Sequence, residues 1–338
     1  MKNWLIGLLV LAVVGVFAVG FWAIMQDESV DLSTKEPLTI APFTGEQNES
    51  VASRRPVMAV VNNHPDARPQ TGLTEADMVF EMIAEYDITR FVALYQSEYP
   101  EEVGPIRSAR EYFVDLAAAY DAFFVAHGYS PDARKMLESG MVDHVNGIQH
   151  DGTLFQRSAD RVAPHNSYIT IDNVKKAMDD TQAFTEYRGQ SPYYFYDSSE
   201  NAKLEEQALS INVAYGSNEL FTSTYTYDSE TALYSRSSGN KPTVDKETLE
   251  TITVSNILVF EAQHETLDSQ GRQSIDLTSG GNALLFQAGG VREMEWSSID
   301  GMLVPVVDGQ AVKLQPGKTW IHIVPDNPGI GQSVRYTP

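Results

Sequence analysis

The chain has 338 residues, with 46 acidic side chains against 24 basic ones for a net charge of -22, and no cysteine. This balance excludes a nucleic-acid binder, since no broad basic surface can neutralise phosphates, and it disfavours lying flat on an anionic membrane. The missing cysteine excludes disulfides, thiolate metal sites, a cysteine nucleophile and an acylated N-terminal cysteine. Apolar residues make up 42% and aromatic residues 10%, enough for real cores, so general disorder is excluded too.

Trp4 to Met25 is an unbroken apolar run, long enough to cross a bilayer as a helix. Lys2 before it and Asp27, Glu28 and Asp31 after it orient the N-terminus inward and the rest of the chain outside. Ala18-Val19-Gly20 offers a signal-peptide cleavage site, but Phe21, Trp22, Ile24 and Met25 continue the apolar run past it. A retained transmembrane anchor over 1–26 is therefore expected, making a single-pass cell-membrane protein whose globular part is extracytoplasmic. Residues 27–50, rich in Asp, Glu, Ser, Thr and Pro without periodicity, read as a flexible spacer.

A first domain is expected over 51–196. Val57–Val61, Met78–Ala84 and Phe91–Gln96 are strand candidates. In Gly104–Tyr120, Ser108 and Glu111 have capping-box spacing, while Tyr112, Phe113, Leu116, Ala117 and Tyr120 share one face. This predicts a helix that starts at Ser108 and docks on a core. Ala122–Ala126 predicts a buried strand, and Ser130-Pro131 caps a second helix running to Glu138. Val145–Ile148 is a further strand candidate and Asn173–Asp180 a third helix. Val60, Phe80, Val92, Phe113, Leu116, Phe124 and Val125 are the expected core.

Polar residues 197–208 read as a linker, and from 209 to 338 the pattern turns to β. Thr222–Tyr227, Leu258–Phe260, Ala283–Phe286 and Thr319–Val324 are strands, and Asp308-Gly309 is a hairpin turn between Leu303–Val307 and Ala311–Leu314. The expected class is α+β: a mixed α/β N-terminal domain followed by a β-rich C-terminal domain.

RPVMAVVNNHPDARPQTGLTEADMVFE, EYDITRFVALY, GPIRSAREYF, AHGYSPDA and APHNSYIT occur in this order. Together they resemble the YerB-like bacterial surface proteins, a family carrying a domain of unknown function and its C-terminal companion. TYTYDSETALYSR, GNALLFQAGG, MEW and PGKTWIHIVP carry the likeness through the second half, so it covers nearly everything from Arg55 to Pro325. The resemblance implies the architecture and an envelope location, and no activity. It departs at the anchor: the family is often lipoprotein-like, whereas this chain has no cysteine to acylate and the apolar run takes over that role.

The candidate site rests on charge. Arg107 and Arg110 sit at the expected helix start, where the macrodipole disfavours cations and attracts anions. With Arg68 and Arg90 they would supply bidentate forks for carboxylate or phosphate, helped by backbone N–H groups near Ser108. Pairing with Glu75, Asp77, Glu81 or Glu85 as an internal network is the competing reading. His127 follows a buried strand, and His165-Asn166 lies in a loop that could converge on it; both histidines join the candidate ligand set.

The leading expectation is recognition of an anionic envelope ligand, a carboxylated or phosphorylated glycan, a peptide or a wall polymer. A cell-envelope hydrolase using His127 and His165 with a carboxylate such as Glu85 is the alternative; a structural scaffold of a membrane complex is another. Glu81 and Glu85 on one strand face would stand roughly 13 Å apart, too far for a glycosidase pair. Gly317-Lys318-Thr319 lacks the upstream glycine of a P-loop, and Asp197, Ser199 and Asn201 lack the later glycine and glutamate of an EF-hand. No cofactor and no metal is expected.

Overall fold

Runs of β-branched and aromatic residues with period-two alternation build the framework. The computed structural model describes residues 40–48, 53–197, 200 and 202–338. The first half supplies strands β1 (Val57–Asn62), β2 (Met78–Glu85), β3 (Ile88–Tyr95), β4 (Phe123–Ala126) and β5 (His144–Asn146), with helices α1 (Glu111–Ala119), α2 (Pro131–Glu138) and α3 (Ile171–Thr181). The second half supplies β6 (Ser210–Val213), β7 (Ser223–Asp228), β8 (Leu233–Ser238), β9 (Lys241–Pro242), β10 (Asn256–Ala262) and β11 (Gly281–Gln287). It continues with β12 (Gly290–Ile299), β13 (Met302–Val307), β14 (Gln310–Ala311), β15 (Thr319–Pro325) and β16 (Val334–Thr337). The class is α+β, with the second half rich in strands.

Among the described residues the largest sheet has twelve strands in the order β14-β13-β12-β11-β10-β15-β2-β3-β1-β4-β5, with Glu206–Gln207 paired beside β12. It is mixed: β15 runs parallel to β10 and to β2, and β4 parallel to β1 and to β5. The linker expected at 197–208 does not part this sheet, because β15 pairs with β2 from Met78 to Met82, and Leu38–Pro338 forms one compact unit. A six-stranded sheet, β9-β8-β7-β6-β16 with Thr253–Val254 beside β8, packs on one face of the large sheet. Helices α1 and α2 pack on the other face.

Alternation along each strand divides the core between these two faces. All seven residues expected in the core are at most 1% exposed. Six lie on the α1 side and Val125 on the opposite side, one position after Phe124. Complete burial of Leu116 against that sheet contributes about 1.5–3 kcal/mol. Asp308 and Gly309 both take positive φ, 51° and 74°, as the expected hairpin turn requires.

Several expectations are corrected. Helix α1 starts at Glu111 with Arg110 as its N-cap, and that cap makes no side-chain hydrogen bond. Ser108 Oγ instead donates to the carbonyl of His127, and Glu111 accepts from Ser130 Oγ. The backbone of 107–109 pairs with 127–130, so tertiary pairing displaces the local cap. The strand expected at Val145–Ile148 ends at Asn146, whose side chain caps a one-turn helix, Gly147–His150. Glu81 and Glu85 do not share a face: a register shift between Ile83 and Glu85 sends Glu85 toward α1, while Glu81 faces the smaller sheet.

The anchor expected over 1–26 lies outside the described residues, as does the spacer apart from residues 40–48. Within that stretch Ala41, Phe43 and Thr44 are buried, and Phe43 packs against Tyr120, Tyr187 and Tyr193. A single aromatic in a polar run has no periodicity to announce its docking. No helix among the described residues is long and apolar enough to cross a membrane.

Candidate functional site

Three of the four arginines gather where β2, β3 and the segment before α1 meet. Arg90 Nη2 donates to Glu85 Oε1 at 2.5 Å and its Nη1 to the Ser108 carbonyl at 2.5 Å. Arg110 donates to the same Glu85 oxygen, and its Nη1 to the Ala109 carbonyl. Both side chains are nearly inaccessible, at 3% and 5% exposure. Burial, followed by repulsion from Arg110, lowers the Arg90 pKa to about 9, although Glu85 opposes the shift. These two arginines are an internal network around one carboxylate.

Arg107 differs. It is half-buried, its Nε is inaccessible and without an acceptor, and its side chain makes no hydrogen bond or ion pair among the described residues. Burial lowers its pKa; Glu85 raises it and Arg110 lowers it further. Its backbone carbonyl accepts from His127 N–H, and its charge lowers the pKa values of His127 and His165.

The histidines are each held in one tautomer. Arg157 Nη2 lies 3.1 Å from His127 Nε2 and can only donate, so the proton stays on Nδ1, 2.7 Å from Ser167 Oγ. Asp151 fixes Arg157 in turn. The ring stands edge-on to Phe155, and a Cβ at Gly147 would lie 2.1 Å from Nδ1, so only glycine leaves room for it. Burial and the Arg157 charge hold His127 below the usual histidine range, in its neutral form. His165 Nδ1 accepts from Asn62 Nδ2 at 2.9 Å, and its ring stacks on His64 at 4.5 Å. Burial and the neighbouring His64 lower its pKa. Asn166 pins its own loop, donating to the carbonyls of Ser158 and Arg161 and accepting from Arg157.

Neither His127 nor His165 hydrogen-bonds a carboxylate among the described residues, and Glu85 is occupied by two arginines. The set named for a hydrolase, His127 and His165 with Glu85, is thus not joined by hydrogen bonds among the described residues. His64, Asp66 and His165 offer ligand atoms within 4.8 Å of one another. The Arg107 and Arg161 charges that lower the His165 pKa oppose a cation there, and Asp66 favours one.

Arg68 is not part of this group. It donates to the carbonyl and side chain of Asn63, lies over the Phe221 ring and lines a different cavity from Arg110. Of the partners of His127, Ser167 lies in the APHNSYIT stretch beside Asn166, whereas Arg157 belongs to none of the quoted motifs. Glu81 and Arg236 meet only through the fold: this fully buried pair sits between the sheets, with Trp320, Ser223, Thr89 and Asn63 donating to the carboxylate. Trp296 and Trp320 fill the core, at 2% and 0% exposure.

With this geometry in view, the chain belongs to the family described as "Protein of unknown function (DUF3048)": its N-terminal domain model matches residues 43–185 and its C-terminal domain model residues 211–321. One relative is the "Putative lipoprotein YerB" of Bacillus subtilis (strain 168), 48% identical over 85% of this chain and 86% of that protein. The crystal structure of the YerB protein from Bacillus subtilis superposes with a TM-score of 0.81 at 44% identity, covering 88% of this chain and 99% of the other. The YerB-like resemblance and the α+β architecture read from the sequence both stand.

Proposed function

We propose that this is a membrane-anchored surface protein that binds an anionic envelope ligand, a carboxylated or phosphorylated glycan or peptide, at Arg107. One observation carries the reading. Two guanidiniums, Arg90 and Arg110, share the Glu85 carboxylate, and the more accessible Arg107 beside them has no hydrogen bond or ion pair of its own among the described residues. An incompletely neutralised cation, half out of water, is costly unless an anion completes it. His127 and His165 are held below the usual histidine range, so neither competes with Arg107 as a cation near neutral pH.

The test contrasts two arginines. Arg107→Gln should abolish binding of inorganic phosphate and of a uronate, measured by calorimetry on the full chain, and leave the denaturation midpoint near wild type. Arg110→Gln should lower that midpoint, because it breaks a buried pair. Phosphate and uronate binding that survives in Arg107→Gln would remove the site.

Anchoring is supported by the related lipoprotein's name, and the apolar run Trp4 to Met25 would serve as the anchor, since this sequence holds no cysteine for acylation. Protease added to intact protoplasts should degrade the globular part. Full protection would place it inside the cell.

A further inference from the structure

A separate cavity of about 290 Å³ opens between the loop following β1 and the β8–β9 hairpin, and neither Arg90, Arg107 nor Arg110 lines it. Its cationic wall is Arg68, Arg236 and Lys241; Pro65, Pro69 and Leu220 are among its apolar walls. The volume is near the lower end of small-molecule sites, about 300 Å³. The loop carrying Arg68 is held from behind by Arg161, which donates to the carbonyls of Ala67 and Pro69, so the wall is preformed.

The charges here do not balance. Arg68 commits Nε and Nη2 to Asn63 and makes no ion pair among the described residues. Arg236 is 1% exposed, and its Nε is buried with no acceptor. Glu81, the carboxylate behind it, is already claimed by Arg236, Trp320 and Ser223. Lys241 is exposed at the rim and also without an ion pair among the described residues. Burial and the facing Arg236 charge lower the Arg68 pKa to about 10.

We infer that this cavity is a second binding site, for a small carboxylate with a compact apolar body. The carboxylate takes the uncommitted Nη1 of Arg68 and the ammonium of Lys241, and the body rests against Pro65, Pro69 and Leu220. It is independent of Arg107, so the failure of either site leaves the other standing.

Fluorine NMR of para-fluorobenzoate, added to the full chain in nanodiscs, tests this, with neutral para-fluorobenzamide as control. The benzoate line should broaden and the benzamide line should not. Lys241→Glu and Arg68→Gln should each weaken benzoate binding about tenfold or more, and Arg107→Gln should leave it unchanged. Lys241 is exposed, so its variant keeps the fold even where Arg68→Gln perturbs the loop. Equal binding of the amide, or wild-type affinity in Lys241→Glu, overturns the inference. Loss in Arg107→Gln alone would assign benzoate to the other site and overturn it too.

Discussion

Replacing Arg236 by methionine is expected to cost about 3–5 kcal/mol of stability, read from urea denaturation of the full chain. The pair it breaks, Arg236 Nη2 to Glu81 Oε2 at 2.8 Å, has no exposure on either side. Burial alone would raise the Glu81 pKa, but Arg236, His322 and Thr89 outweigh it and hold the carboxylate below its usual range. Removing the guanidinium leaves Glu81 to protonate or to stay charged in an apolar layer, and each outcome is costly. Phe91 and Trp320 also lose the cation that sits 5.2 and 4.2 Å from their ring centres. Because Glu81 lies in β2 and Arg236 in β8, the pair clamps the smaller sheet to the large one. Glu81→Gln combined with Arg236→Met should recover part of the loss, since no unpaired charge remains. A loss below about 1 kcal/mol in the single variant would mean the pair contributes to neither docking nor stability.

That clamp marks where sequence reading stops. Strand and helix identities were legible because they rest on local periodicity: Phe80, Val92 and Leu116 fall on the faces their spacing assigns. The Ser130-Pro131 start of α2 was legible too, since Ser130 Oγ does accept from Ala133 N–H. Ser108 and Glu111 offer the same local grammar, yet His127, Gly128 and Ser130 compete for that backbone from a distant segment and win. Nothing in Ile83-Ala84-Glu85 announces the register shift that turns Glu85 toward Arg90 and Arg110. The arginine cluster was therefore visible as composition, while its division was not. Two of the four are buried structural cations, one stands apart at another cavity, and Arg107 alone of the cluster makes no side-chain hydrogen bond or ion pair among the described residues. Pairing of β15 with β2 joins segments from opposite ends of the chain, so a polar linker between two sequence domains gave no sign that one sheet spans both.

Acid is expected to weaken the fold through His322, beginning well above the usual carboxylate range. Tyr215 donates its hydroxyl proton to the Glu81 carbonyl and so accepts from His322 Nδ1, leaving Nε2 to accept from Tyr225. The imidazole is thus neutral and completely enclosed. Burial lowers its pKa to about 3, Arg236 adds to the shift and Glu81 opposes it. Between that value and the ordinary histidine value of about 6.5, the unfolded chain binds a proton that the folded chain refuses, so stability falls as pH falls through this window. The full effect is roughly 3–5 kcal/mol. Asp77 acts with the opposite sign. Burial raises its pKa to about 7, so the folded state holds a proton that the unfolded state lacks from there down to about 3.8, and acidification favours folding over that range. The wild-type pH profile therefore mixes two opposed slopes. His322→Gln, which keeps a donor and an acceptor between the two tyrosines, separates them. The stability advantage of wild type over this variant should shrink steadily from pH 7 to pH 4, whereas the advantage over Asp77→Asn should grow. A wild-type advantage over His322→Gln that stays constant across the window would mean that the enclosed imidazole already carries a proton, and that Glu81 balances two cations rather than one.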